Sequence, residues 1–232
     1  MRTIPMPIRA GFAGLQGVDE IIATEDQADP MPHLLRIDSS SRRAGSHSRA
    51  LPDSVEAAWR QTGGTVTTRD VTDRAIPVIS RQTVTGGYAP DASITPNLRA
   101  ATALSDVLIA EFQVAGTFLI SAAIYNFVLP AALKLWTDQV VRINRTFALD
   151  GSALSFLLAP ARAILCLAYG ARVYGVGGPM EATDFRAPDL RVPLTFLGVP
   201  EVRTVAVEQT AADENTLNTN LAVAQDAARA AA

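Results

Sequence analysis

The sequence predicts an α/β domain: five parallel strands in a doubly wound sheet, with helices on both faces. Two observations carry this expectation. Five short runs of apolar or β-branched residues are spread along the chain, and the segments between them show helical periodicity with recognisable starts and stops. Parallel strands need crossovers, right-handed in nearly all cases. Successive strands therefore end at one edge of the sheet, where ligands of such folds bind.

Leu34, Leu35, Arg36 and Ile37 form the first short strand, and Ser46 is placed to cap a helix carrying Leu51, Val55, Ala58 and Trp59 at helical spacing. Gly63 and Gly64 stop that helix, and the β-branched run at residues 65–68 is the second strand. Residues 71–95 read as a long loop, with Gly86, Gly87 and Tyr88 as the tip of a candidate lid, since so long a connection is uncommon without a task. Thr95 before Pro96 starts a helix with an apolar stripe of Leu98, Ala101, Leu108 and Phe112. Residues 116–122 are the third strand, and a helix from about Pro130 carries Leu133, Trp136 and Val140. Residues 163–168 are the fourth strand, and a glycine-rich turn and a helix near Asp189 follow. Residues 202–207 are the fifth strand, and Leu217, Leu221 and Ala224 mark a closing helix.

Residues 1–30 differ from the rest, with Pro5, Pro7, Gly11, Gly14 and Gly17 and no compact element. They read as a disordered extension, or as residues ahead of a start at Met31, leaving residues 31–232 as the folded domain. That length suits one domain of ~100–200 residues. A composition 48% hydrophobic and 19% charged is that of a folded globular chain. A net charge of -3 with scattered arginines gives no basic stripe for nucleic acid. The apolar stretch at residues 114–136 is interrupted by Ser121, Asn126 and Pro130, which argues against a membrane span. A single cysteine, Cys166, forms no internal disulfide, so a reducing cytoplasm is permitted.

Three segments follow predicted strands and share the ligand-binding edge. Residues 39–48 contain five serines and lead into a helix whose free N–H groups favour an anion. They lack the Gly-Lys-Ser/Thr ending of a triphosphate loop and a Gly-x-Gly-x-x-Gly dinucleotide turn, so a monophosphate fits best. A polar loop with an ordinary serine cap would carry the same residues. Ile124, Tyr125, Asn126 and Phe127 set two aromatics and an amide after the third strand, suited to a flat heterocycle or to plain packing. Residues 169–178 form a glycine-rich turn that lets backbone approach a ligand. Metal and triad chemistry find no support: His33 and His47 have no ligand spacing around them, and no Gly-x-Ser-x-Gly elbow is present.

Taken in order, these segments resemble the FMN-dependent NADH-azoreductases, flavodoxin-like enzymes that also reduce quinones, over most of the chain from Leu34. The resemblance rests on Ile124, Tyr125, Asn126 and Phe127 followed by Pro130, Ala131, Ala132, Leu133 and Lys134. It continues through Arg142, Thr146 and Phe147, and includes Ser40 with Ser46, His47 and Ser48. It implies a flavodoxin-like FMN-binding domain in which Ser40, Ser46, His47 and Ser48 hold the FMN phosphate. Ile124, Tyr125, Asn126 and Phe127 would line the ring system, Ala168, Tyr169, Gly170 and Ala171 its pyrimidine end, and Phe147 the substrate pocket. It further implies ping-pong hydride transfer from NADH or NADPH to an azo or quinone acceptor, and a homodimer. No protein side chain is assigned as catalytic. The chain departs from the family at Ala168, Tyr169, Gly170 and Ala171, where Ser-Arg-Gly-Gly is common, and at Ala123, where proline is usual. Two alternatives accompany this reading: a flavodoxin-type electron carrier, and a non-catalytic member that has lost flavin binding.

Overall fold

A computed structural model describes residues 32–123, 125–150, 153–158, 162–174 and 177–232. The predicted extension at residues 1–30 and Ile124 lie outside the described residues. The main sheet has five parallel strands, β1 (His33–Asp38), β2 (Thr65–Asp70), β3 (Thr117–Ala123), β6 (Arg162–Ala168) and β7 (Glu201–Val207), in the order β2-β1-β3-β6-β7. The order reverses between β1 and β3, which opens a crevice at their carboxyl ends.

The helices are α1 (His47–Gln61), α2 (Arg81–Tyr88), α3 (Pro96–Gln113), α4 (Ala131–Val140), α5 (Arg186–Phe196) and α6 (Glu214–Ala231). Alternation along the central strands feeds two cores. Leu34, Leu119, Ile164 and Cys166 pack with Leu51, Val55 and Trp59 of α1 and with Ala224 and Ala228 of α6. The intervening residues Leu35, Phe118, Ile120 and Leu165 pack with Leu108 and Phe112 of α3, Leu133 and Trp136 of α4, and Leu190 and Leu194 of α5. Strands covered on both faces are apolar at successive positions, which is why β1, β3 and β6 read as continuous runs. Phe112 stacks on Phe118 with centroids 3.9 Å apart.

Several start signals stand where expected, although the Ser46 hydroxyl makes no capping bond. Ser46 stands at the N-cap of α1, and Thr95 Oγ1 at the N-cap of α3 accepts from the Leu98 N–H at 3.3 Å. Two features correct the sequence reading. Residues 71–95 are not an open loop: they contain α2, capped by Ser80, whose Oγ accepts from the Thr83 N–H at 3.1 Å, and a 3-10 turn at Asp91–Ser93. Gly86, Gly87 and Tyr88 form the last turn of that helix rather than a lid tip, and a Cβ on Gly86 would stand 2.8 Å from Thr102 Cγ2 of α3. An antiparallel hairpin of β4 (Phe147–Asp150) and β5 (Ala153–Phe156) also stands apart from the main sheet, where no strand was expected.

Candidate functional site

Strand register sets the site. Asp38 at the end of β1 pairs with Asp70 of β2 and Ser121 of β3, and Ala123 of β3 pairs with Ala168 of β6, so the turns that follow leave from one edge. Ser39 Oγ donates to the Ser121 carbonyl at 2.6 Å, and Ser121 Oγ donates to Asp38 Oδ1 at 2.8 Å, locking the ends of β1 and β3 together. The chain then turns through Gly45, held at a φ of +64° that favours glycine, and enters α1.

At that entrance Ser46 Oγ does not cap its own helix. It donates to Ser40 Oγ at 3.0 Å and meets Ser48 Oγ at 3.2 Å, so three hydroxyls converge where the first N–H groups of α1 lack helical acceptors. Tyr125 reaches over from the β3 turn, its hydroxyl accepting the Ser41 N–H at 3.1 Å. Burial raises the Tyr125 pKa, but the Ser41 N–H, the Ser41 and Ser40 hydroxyls and the Arg42 charge outweigh it and leave the phenol below its ordinary value.

Ser40, Arg42, Ser46, His47, Ser48, Tyr125, Ala123, Ala168, Gly170 and Thr210 line one cleft of about 270 Å3 at this edge. Hydroxyls, a guanidinium and free helical N–H groups form an anion-binding end. Ala123, Ala168 and Gly170 form a low wall, and a Cβ on Gly170 would meet nothing within 4 Å. The donor set fits a phosphate, and the small residues leave room for a flat ring beside it.

The structure therefore brings together Ser40, Ser46, His47, Ser48, Tyr125, Ala168 and Gly170. Among the described residues, it places Asn126, Phe127, Tyr169, Ala171 and Phe147 elsewhere. Asn126 and Phe127 are exposed on the β3 turn at φ of 51° and 73°, with Phe127 packed edge-on to Tyr174, and neither lines the cleft. Ala171 is exposed outside it. Tyr169 turns its side chain away into the α3–α5 core, where its hydroxyl donates to Asp184 Oδ2 at 2.6 Å. Successive residues leaving a strand point to opposite faces, so Ala168 and Gly170 face the cleft and Tyr169 does not.

Phe147 lines a different cavity of about 220 Å3, bounded also by Val84, Tyr88, Thr102, Gln139, Arg142 and Phe196. The two linings share no residue, and in the chain the ten-residue helix α4 stands between β3 and Phe147.

Thr210 had no sequence signal. It follows β7, and both its N–H and its hydroxyl donate to the Tyr169 carbonyl, at 3.0 and 3.1 Å, fixing the β6 turn. The charges Arg36 and Asp38 within a central strand were a readable signal, because buried charges need partners. Arg36 bonds Asp38, Asp53 and Glu56; burial opposes its charge, yet Asp38 and Asp53 hold its pKa above the ordinary value.

A family model described as flavodoxin-like fold matches residues 32–232. The chain is 44% identical over 174 residues to an FMN-dependent NADH:quinone oxidoreductase of Xanthobacter autotrophicus, a match covering 74% of this chain and 84% of the relative. It is 34% identical over 199 residues to FMN-dependent NADH:quinone oxidoreductase 2 of Trichormus variabilis, covering 85% and 96%. An azoreductase structure from Bacillus anthracis superposes with a TM-score of 0.78 at 18% identity, covering 87% of this chain and 98% of that one, a likeness of fold. On these matches the chain belongs to the flavodoxin-like fold family and, within it, to the FMN-dependent NADH:quinone oxidoreductases.

Proposed function

We propose that the protein is an FMN-dependent oxidoreductase that passes hydride from NADH to quinones and azo compounds, with the FMN phosphate held by Ser40, Ser46 and Ser48. The observation that carries this reading is the convergence of three serine hydroxyls on the start of α1, inside a cleft shared with Tyr125, Ala168 and Gly170. The names of the relatives support FMN and NADH as its cofactors.

Each part of the cleft has a task. The three hydroxyls and the first N–H groups of α1 bind the phosphate, and Arg42 and His47 add donors at the rim. Ala123, Ala168 and Gly170 give the ring system a flat wall without side-chain obstruction. Thr210 fixes the backbone of that wall through the Tyr169 carbonyl. When bound, FMN supplies the hydride chemistry, and the protein supplies orientation and electrostatics. No side chain here is needed as an acid or base, since solvent or backbone donors can protonate the acceptor.

Purified protein saturated with FMN should reduce a benzoquinone or an azo dye with NADH well above the rate of free FMN at the same concentration. A rate no higher than that of free FMN would overturn the enzymatic reading and favour the electron carrier or the non-catalytic member.

The same reading makes the protein a homodimer in the cytoplasm. Leu149, Leu154 and Phe156 of the hairpin are 53%, 38% and 46% exposed, apolar surface that suits a second copy. The one cysteine is buried and needs no oxidising compartment, and no helix among the described residues is long and apolar enough to cross a membrane. Light scattering after size exclusion should give twice the chain mass; a single-chain mass at micromolar concentration would rule out the dimer.

A further inference from the structure

Under the serine turn lies a charged contact for which phosphate binding by hydroxyls gives no reason. Arg49 occupies the third position of α1, and its side chain runs inward, 14% exposed, between the ends of β1 and β2. Its Nη2 donates to the Ser40 carbonyl at 2.7 Å, to Asp70 Oδ2 at 2.8 Å and to Thr72 Oγ1 at 3.4 Å, and its Nη1 donates to Asp38 Oδ2 at 3.3 Å. Both carboxylates are fixed from their other sides. Asp38 is held by Arg36 and the Ser121 hydroxyl, and Asp70 accepts the Thr72 N–H at 2.9 Å and the Thr72 hydroxyl at 2.6 Å. The guanidinium is thus clamped by the two carboxylates, with Thr72 Oγ1 beside them, and its shortest bond goes to the backbone of one cradle serine.

Ser40 supplies one of the three converging hydroxyls, and the position of that hydroxyl follows from the backbone that Arg49 grips. The turn beyond it, Ser41, Arg42, Arg43, Ala44 and Gly45, is exposed. The turn itself is tied to the rest of the chain at exposed contacts, Ser41 N–H to the Tyr125 hydroxyl and Arg43 to Asp73, so without the mostly buried grip of Arg49 the Ser40 backbone would be ordered by the ligand, at the expense of affinity. We propose that Arg49 is a positioning residue that preorganises the phosphate cradle by holding the Ser40 carbonyl against Asp38 and Asp70. The inference rests on the flavin reading above and deepens it.

Lysine at this position keeps the charge between the two carboxylates but replaces a rigid fork by one ammonium on a flexible stem, which cannot hold the Ser40 carbonyl and both carboxylates in the same geometry. The test compares dissociation constants of FMN and of riboflavin, which lacks the phosphate, for the full chain and for Arg49→Lys, by quenching of flavin fluorescence. Arg49→Lys should weaken FMN about tenfold, the scale of one lost hydrogen bond, and leave riboflavin unchanged. An unchanged FMN constant, or an equal loss for both flavins, would overturn the proposal, since loosening of the fold at large would not single out the phosphate. Asp70→Asn keeps an acceptor but removes one clamp charge, and should give a several-fold loss of the same FMN-selective kind. If Arg49→Lys does not fold, this variant decides by the same two criteria. A wild-type protein that binds FMN no better than riboflavin would instead sink the phosphate-cradle reading itself, whatever the variants do.

Discussion

Among the residues, the hydroxyls of Ser40, Ser46 and Ser48 carry most of the meaning, because Ser46 gives up its capping bond to join the other two. Replacing Ser46 and Ser48 together by alanine should weaken FMN at least tenfold, since a hydrogen bond to a charged group is worth ~1.5–3 kcal/mol. Equilibrium dialysis showing wild-type affinity in that variant would remove the cradle from consideration. Tyr125 adds a pH signature. Its phenol ionises below the ordinary value of ~10, so the folded state gains stability as pH rises through the lowered value toward that of the unfolded chain, and loses it as pH falls back. Ultraviolet titration of the flavin-free protein should show one tyrosine ionising early, and Tyr125→Phe should abolish that step; an early step that survives the substitution would assign it to another residue. At this scale the sequence was legible where residue type alone decides, as in the serine hydroxyls that the structure gathers at the start of α1. It was misleading where side-chain direction decides. The strand alternation that sends Ala168 and Gly170 toward the cleft sends Tyr169 into the core.

At the scale of elements, the start signals were dependable because caps and prolines act locally: Ser46, Thr95 and Pro130 all stand where their helices begin. Helix α2 leaves little trace in the sequence because two glycines in eight residues cost ~1 kcal/mol each in helix propensity. Packing overrides that cost. Gly86 lets α2 lie against α3, because a Cβ there would stand 2.8 Å from Thr102 Cγ2. Gly87, its neighbour, would meet only Arg142 Nε at 4.0 Å. Urea unfolding should therefore show opposite signs in one helix turn. Gly86→Ala should lose about 1–2 kcal/mol from overpacking, and Gly87→Ala should gain up to ~1 kcal/mol of propensity. Gly86→Ala as stable as wild type, with turnover altered instead, would restore the lid. The β4–β5 hairpin was unreadable for another reason: strands of four residues offer too few alternations to stand out from loop.

For the whole molecule, the alternation of strands and helices fixed more than any motif did. Parallel pairing puts the ends of the five main-sheet strands on one edge, and the reversal between β1 and β3 puts a crevice there, so the serine turn, the Tyr125 turn and the β6 turn meet without any being decisive alone. Phe147 shows the limit of that logic: it follows α4 in the chain, and it opens on a separate cavity. The placement of one FMN per chain at the crevice is tested most directly by anaerobic titration of the purified protein with FMN, followed by NADH, under visible absorbance. The expected result is saturation at one FMN per chain, with a flavin band that NADH bleaches. Protein that retains no flavin once excess FMN is removed by gel filtration, or binds it at a site indifferent to the loss of Ser46 and Ser48, would contradict it.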